Sequence, residues 1–330
     1  MRTILLVGGA GYVGTVVTEY LLSLGYKVKN LDLFLYNNEH CISKYLNNKN
    51  YQSITGNFCK SETLTNALEG VSDVVLLAGL VGDPITKKYP LESKKINEIG
   101  MVNCIDLLNK KGLNRVILVS TCSNYGIVSS DKLVDEKENL DPQSLYAKAK
   151  VATEKYLLEK KNKVDYIPTI LRFSTAFGLS NRMRFDLTIN EFCRELFLGK
   201  TLLVFNPNTW RPYCHVLDFA RLINMILVAP KDKIFFEVFN AGGNKNNFTK
   251  GKIVDLLLSY IPKGKVEYLK KDVDPRNYRV SFDKVRNTLG FKPNYEVEYG
   301  IKEIIQAFKI NKFSNFDKHT YGNYVINYPN

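Results

Sequence analysis

Tyr146 and Lys150 stand four residues apart in the run Tyr146-Ala147-Lys148-Ala149-Lys150, which in a helix is one turn along the same face. A free phenol has a pKa near ~10 and is a poor base at neutral pH. An ammonium beside it favours the phenolate, and so would a second positive charge from a bound group. Lowering the phenol by ~3 units takes about 4 kcal/mol, feasible for two charges in a water-poor cleft. Upstream, Ser120-Thr121-Cys122-Ser123-Asn124-Tyr125-Gly126 closes a strand-like run and supplies hydroxyls that could hold a reacting alcohol against Tyr146. Nothing near Cys122 in sequence would activate its thiol, which is read as packing or pocket lining.

A second pattern says what the positive charge could be. Gly8-Gly9-Ala10-Gly11-Tyr12-Val13-Gly14 lies between a strand-like run and a helical one. Glycines permit a tight turn, so backbone N–H groups and the helix N-terminus can face a pyrophosphate. Gly8, Gly11, Tyr12, Val13 and Gly14 are therefore expected to bind a dinucleotide. Asp32, 18 residues beyond Gly14 at the end of the second strand, could accept hydrogen bonds from the ribose hydroxyls of NAD and repel the 2′-phosphate of NADP. NAD is the expected cofactor, its nicotinamide the second charge beside Tyr146. Asn57, with Phe58 after it, follows the third strand and is a candidate for the adenine edge or simply a turn asparagine.

These residues need a scaffold. Strand-like runs at Thr3–Val7, Lys27–Leu31, Tyr51–Thr55, Asp73–Ala78, Arg115–Ser120 and Asp165–Leu171 alternate with amphipathic segments, the pattern of an α/β doubly wound parallel sheet. Val13, Val17, Tyr20, Leu21 and Leu24 mark the first helix, closed by Gly25. One long helix is expected over Leu91–Lys111 and another over Ser144–Lys161. Residues 1–171 are read as the cofactor domain, with segments near 216–240 returning to it. Residues 172–330 are read as a smaller mixed α/β substrate domain. There, loops at Gly178–Arg184, Asn206–Pro212 and Asp272–Arg279 separate helices near 184–199, 216–228, 250–260, 281–289 and 298–309. The tail from Phe313, rich in Asn and Tyr, is expected to be partly loose.

Composition narrows the class. The chain has 330 residues, 45% of them hydrophobic, enough for a sizeable core. No apolar run is long enough to span a membrane, and the N-terminus lacks a signal-peptide pattern, so a cytoplasmic location is expected. The net charge of +13 is spread without an arginine-rich block, which suits a polyanionic small molecule better than nucleic acid. Six scattered cysteines and three histidines show neither a disulfide framework nor metal-ligand spacing, so no metal is expected.

Taken together, Gly8–Gly14, Asp32, Leu77-Ala78-Gly79, Thr121–Gly126, Tyr146–Lys150, Leu171-Arg172-Phe173 and Arg211-Pro212-Tyr213-Cys214-His215-Val216 resemble the extended short-chain dehydrogenase/reductase, or NAD-dependent epimerase/dehydratase, family over nearly the whole chain. The resemblance implies a Rossmann-type cofactor domain, with Leu77, Ala78 and Gly79 along the cofactor and Tyr146 as catalytic acid/base. Lys150 would grip the nicotinamide ribose, and Thr121, with Ser123 beside it, would take the place of the catalytic Ser/Thr. It further implies a nucleotide-diphosphate sugar as substrate. Val81 and Gly82, in Leu80–Pro84, would lie along cofactor and sugar. Arg211 and Arg276 would hold the diphosphate as guanidinium forks. Asn181, Arg182 and Arg184 would form the substrate loop, while His215 is read as packing.

One departure bears on the reaction. Members that eliminate water carry an Asp-Glu pair directly after the catalytic threonine, where this chain has Cys122-Ser123. Oxidation at a sugar C4, or C4 epimerisation, is expected instead of dehydration. The segments Leu80–Pro84 and Ser120–Gly126 look most like enzymes of bacterial surface-polysaccharide synthesis, in particular those oxidising GDP-manno-heptose at C4 for capsule. A non-catalytic dinucleotide sensor would be marked by a broken Tyr-x-x-x-Lys, and here it is intact. The family commonly pairs protomers through the helices before and at the tyrosine, so a homodimer or higher oligomer is expected. Ile99, Val102, Leu157 and Leu158 could serve that interface or cover the sheet.

Overall fold

Short apolar runs that end in glycine-rich or polar turns have one stable use in a chain of this length, as strands buried on both faces. The computed structural model describes residues 2–129, 132–270, 274–313, 315, 316 and 320–328. Seven parallel strands form one sheet in the spatial order Glu237–Ala241, Ile167–Phe173, Arg115–Thr121, Asp73–Leu76, Thr3–Val7, Lys27–Asp32, Tyr51–Thr55. Ile4 to Val7, Val74 to Leu76 and Val116 to Leu118 are fully buried. Each such side chain contributes roughly 1.5–3 kcal/mol of burial. The order turns back between the first and fourth strands, which opens a crevice at their carboxyl ends.

The first helix, Tyr12–Ser23, starts directly from the glycine turn and packs against Val216–Val228. Gly8 has φ +92°, and a Cβ there would sit 2.7 Å from the backbone nitrogen of Ala78. A Cβ on Gly14 would meet the carbonyl oxygen of Gly8 at 2.5 Å. Both positions therefore require glycine. The tyrosine helix, Leu145–Glu159, is capped by Ser144, whose hydroxyl accepts from the Ala147 N–H at 3.2 Å.

The expected helix over Leu91–Lys111 is broken. Asp83–Lys88 and Pro90–Ser93 are short helices, Lys94–Gly100 widens into π-type turns, and Met101–Leu108 resumes the α-helix. Asn97 lies on the wide segment. Its side chain accepts from the Leu80 N–H at 2.8 Å and donates to the Leu80 carbonyl at 3.0 Å, pinning the loop that follows the fourth strand.

Outside the main sheet, Thr175–Phe177, Trp210–His215 and Asn247–Thr249 form a three-stranded sheet. Thr201–Phe205 pairs with Lys265–Leu269, and Leu133–Val134 with Arg279–Val280. Helices lie at Thr188–Phe197, Val216–Val228, Lys250–Tyr260, Asp283–Leu289 and Val297–Lys309, close to the expected positions. Of the loop expected over Asp272–Arg279, residues 272 and 273 lie outside the described residues. Leu157 is fully buried against the sheet and Ile99 is exposed, with Val102 and Leu158 between. No helix among the described residues is long and apolar enough to cross a membrane.

The tail is described in part, and the described part is fastened. Residues 314, 317–319, 329 and 330 of it lie outside the described residues, but Tyr321 to Tyr328 are packed along the crevice. Gly322 and Asn323 are buried, and Ile326 joins the apolar cluster of Phe58, Ile85 and Ile96. Asn327 donates from its backbone to the Leu35 carbonyl and from its amide to Asn37, both at 2.8 Å. Polarity suggested looseness, yet these polar groups find backbone and side-chain partners on segments far away in sequence.

Candidate active site

The crevice at the strand ends continues into a cavity of about 530 Å³. At one end the glycine turn presents Gly8, Gly11, Tyr12, Val13 and Gly14, followed by Asp32, Asn57, Phe58, Leu77, Ala78 and Gly79. The Asp32 carboxylate accepts from the N–H groups of Ala10 and Phe34, each at 2.9 Å, and so also braces the turn. Burial pushes Asp32 above its ordinary range, with those hydrogen bonds and the charge of Arg182 opposing. Asn38 donates to the Ala10 carbonyl at 2.8 Å, while its own carbonyl oxygen is buried without a partner among the described residues. Asn57 behaves as a turn asparagine: it accepts from the Cys59 N–H at 2.9 Å and donates to the Tyr328 hydroxyl at 3.3 Å. A turn that no Cβ could enter, an acid at the second strand end and an orphaned amide oxygen beside them fit a dinucleotide.

In the middle of the cavity Thr121, Ser123, Tyr146 and Lys150 share one wall. The Lys150 ammonium lies 5.9 Å from the centre of the Tyr146 ring and donates to the Val119 carbonyl at 2.8 Å. Thr121 Oγ1 accepts from the Ser123 N–H at 3.1 Å, and the Ser123 hydroxyl is 3.2 Å from that of Tyr278. Burial pushes the Tyr146 phenol up, opposed by Arg184 and reinforced by Asp83 and Tyr278. The lowering expected from spacing counts a cofactor's positive charge as well as the lysine; here a carbonyl holds the lysine and desolvation outweighs the neighbouring cation. Burial also brings Lys150 down to about 8, with Glu154 opposing. Cys122 is buried and donates to the Arg172 carbonyl at 3.0 Å, away from the cavity, as its packing role requires.

The far end carries the expected guanidinium forks. Arg211 donates to Asp274 at 2.9 Å and lies over the Tyr278 ring. Arg276 meets Asp274 at 2.7 Å and Asp83 at 2.8 Å. Burial opposes ionisation of Asp274, but the hydrogen bond from Arg276 and the charge of Arg211 hold it well below the carboxylate range. A second hollow, of about 610 Å³, shares Thr188, Glu191 and Lys250 with the first and runs along Thr201–Phe205.

The expected substrate loop divides. Arg184 faces the centre, 2.5 Å from Asp186 and 3.5 Å from the Val81 carbonyl, beside Gly82. Arg182 instead stacks over Tyr36 on the Asp32 side, donating to the Gly322 carbonyl at 3.1 Å. Asn181 is exposed and turns away from the cavity, its amide donating to the Tyr45 hydroxyl at 2.7 Å. The physical reason is the buried Ser180, whose hydroxyl is anchored on the Tyr12 carbonyl and fixes which way its neighbours point. His215 is fully buried, paired with Glu303 at 2.7 Å, and caps Val216–Val228. Asp83 lies on the cavity wall with the rest of the expected Leu80–Pro84 loop, whereas sequence reasoning missed Asp186, Lys250, Asp274, Tyr278, Asn323 and Tyr324, also on that wall. Asp274 and Tyr278 flank Arg276 closely enough to have been found with it, whereas Asn323 has no local signal.

A glycine-turn sheet with a Tyr/Lys pair at its carboxyl edge defines an NAD-dependent oxidoreductase-type site. The chain belongs to the NAD dependent epimerase/dehydratase family, whose model matches residues 4–242. A UDP-glucuronate 4-epimerase of Thermodesulfobacterium geofontis is 26% identical over 318 residues, covering 93% of this chain and 96% of the relative. The structure of a dTDP-glucose 4,6-dehydratase from Bacillus anthracis with NAD superposes with a TM-score of 0.83 at 25% identity, over 94% of this chain and 98% of that one. A UDP-glucose 4-epimerase from Thermotoga maritima with UDP-glucose gives a TM-score of 0.84 at 24% identity, over 94% and 100%. This chain is an NAD-dependent enzyme of that family.

Proposed function

We propose that the enzyme carries out oxidation at C4 of a nucleotide-diphosphate sugar and, once the keto sugar has turned over, returns the hydride to the opposite face of that carbon, a C4 epimerisation. The observation that carries this is one cavity with a dinucleotide turn at one end, the Tyr146, Lys150 and Thr121 group at its centre and Arg211 with Arg276 at the other. NAD, when bound, supplies a hydride acceptor and a positive ring beside Tyr146. Tyr146 takes the proton of the C4 hydroxyl, Thr121 and Ser123 orient that hydroxyl, and the Lys150 ammonium stabilises the phenolate. Arg211 and Arg276 hold the diphosphate, which fixes the sugar along Val81 and Gly82. The relatives named for UDP-sugar 4-epimerases favour a UDP-sugar.

A second reading ends at the ketone: GDP-manno-heptose oxidised at C4 for surface polysaccharide, on the strength of the segments Leu80–Pro84 and Ser120–Gly126. Both readings disfavour dehydration, since Cys122 is turned into the core and Ser123 is neither acid nor base at neutral pH. Incubation with UDP-, GDP- and dTDP-sugars followed by mass spectrometry separates them. Unchanged mass with altered stereochemistry means epimerisation, and loss of two hydrogens means oxidation. Loss of one water would overturn this account of Cys122 and Ser123.

A further inference from the structure

Two cavity-wall side chains have a polar atom that the fold leaves unanswered. Asn323 is only 6% exposed. Its amide nitrogen donates to the Val81 carbonyl at 3.0 Å, its backbone N–H lies 3.5 Å from Asp186, and its carbonyl oxygen is buried with no partner among the described residues. Asp83, two residues beyond Val81, gives one carboxylate oxygen to Arg276 at 2.8 Å, while the other is likewise buried and unpartnered. Both residues line the cavity beside Gly82, and Asp83 is close enough to Tyr146 for its charge to act on the phenol. Buried polar atoms left without partners are rare and costly, and on a cavity wall they mark where a ligand completes the bond.

Both orphaned atoms are acceptors, so the ligand group they face must donate. We infer that Asp83 and Asn323 form a hydroxyl-recognising subsite for the substrate's sugar, and that this sugar is a neutral polyol rather than a uronate. The inference rests on the nucleotide-sugar reading above and narrows it. A uronate carboxylate would bring acceptor oxygens to acceptor oxygens and a second negative charge to Asp83. The cations nearby are already committed: Arg184 to Asp186, and Arg276 to the diphosphate.

The test is calorimetric binding to the NAD-loaded protein of UDP, UDP-glucose and UDP-glucuronate, with GDP and GDP-mannose as a second series. The expected result is that the neutral sugar nucleotide binds more tightly than UDP-glucuronate. Asn323→Leu then lowers affinity for it about tenfold, the worth of one hydrogen bond, while affinity for the bare nucleotide is unchanged. Asn323→Ser, a smaller change for the fold, acts in the same direction. Asp83→Asn keeps an acceptor and narrows the gap between glucose and glucuronate. Tighter binding of UDP-glucuronate, or equal loss for the bare nucleotide and its sugar in the Asn323 variants, overturns the subsite. Failure of every nucleotide and sugar nucleotide to bind overturns the nucleotide-sugar reading itself, and this inference with it.

Discussion

A phenol buried beside a lysine that leans on a carbonyl is a base only when its surroundings add positive charge. Tyr146→Phe is therefore expected to abolish hydride transfer while leaving fold and NAD binding nearly intact, since the ring stays and only the hydroxyl goes. Residual turnover within about tenfold of wild type, measured as conversion of the sugar nucleotide, would remove Tyr146 from its role. Lys150 gives a pH signature. Its burial lowers it to about 8, so the ammonium is present below that pH and lost as pH rises through it. Activity should fall on the alkaline side from about pH 8 in step with that loss. Activity remaining in Lys150→Arg should lack this alkaline limb, because a guanidinium stays charged. A pH–rate profile of both proteins checks the sign.

At the scale of elements, the tyrosine helix is registered to the sheet by a buried polar knot. Glu154, two turns beyond Tyr146, accepts from Arg172 at 2.7 Å, from Asn124 at 2.8 Å and from the Ser120 hydroxyl. It thus ties Leu145–Glu159 to the strands that end in Thr121 and Phe173. Glu154→Leu should destabilise the protein by roughly 3–5 kcal/mol in urea unfolding, because Arg172 is left charged and buried. The double change Glu154→Leu with Arg172→Met should recover much of that loss. The strands and the Ser144-capped helix were legible because apolar runs, turns and caps are local signals. The break before Met101 was not, because the contacts on that segment, such as Asn97 reaching across to Leu80, are not local in sequence. The Tyr, Lys and Gly positions that gather in the cavity were likewise readable from spacing, and Arg211, Arg276 and Arg184 from the family resemblance. The direction of Asn181 and Arg182 was not, since Ser180's anchor on Tyr12 lies in no motif.

On the scale of the whole molecule, the segment from Tyr321 to Tyr328 touches cofactor-side and substrate-side elements alike. It meets Leu35 and Asn57 near Asp32, Arg182, and Val81 beside the sugar loop. Removing residues 321–330 should leave the sheet folded but speed the release of bound NADH by on the order of tenfold or more, as several ties and the burial of Ile326 are lost together. Displacement kinetics followed by NADH fluorescence measure this, and an unchanged rate would show that the segment does not govern release. Its position in the chain also gives the site a history. Asn323 is separated from Val81 by 242 residues. At a synthesis rate of about 5–20 residues per second, the tail emerges roughly 10–50 s after the loop it fastens. During that interval the glycine turn and Asp32 stand open at the edge of a growing sheet. The ties from the tail to Leu35, Asn57, Arg182 and Val81 can therefore form only after the elements they join have been made.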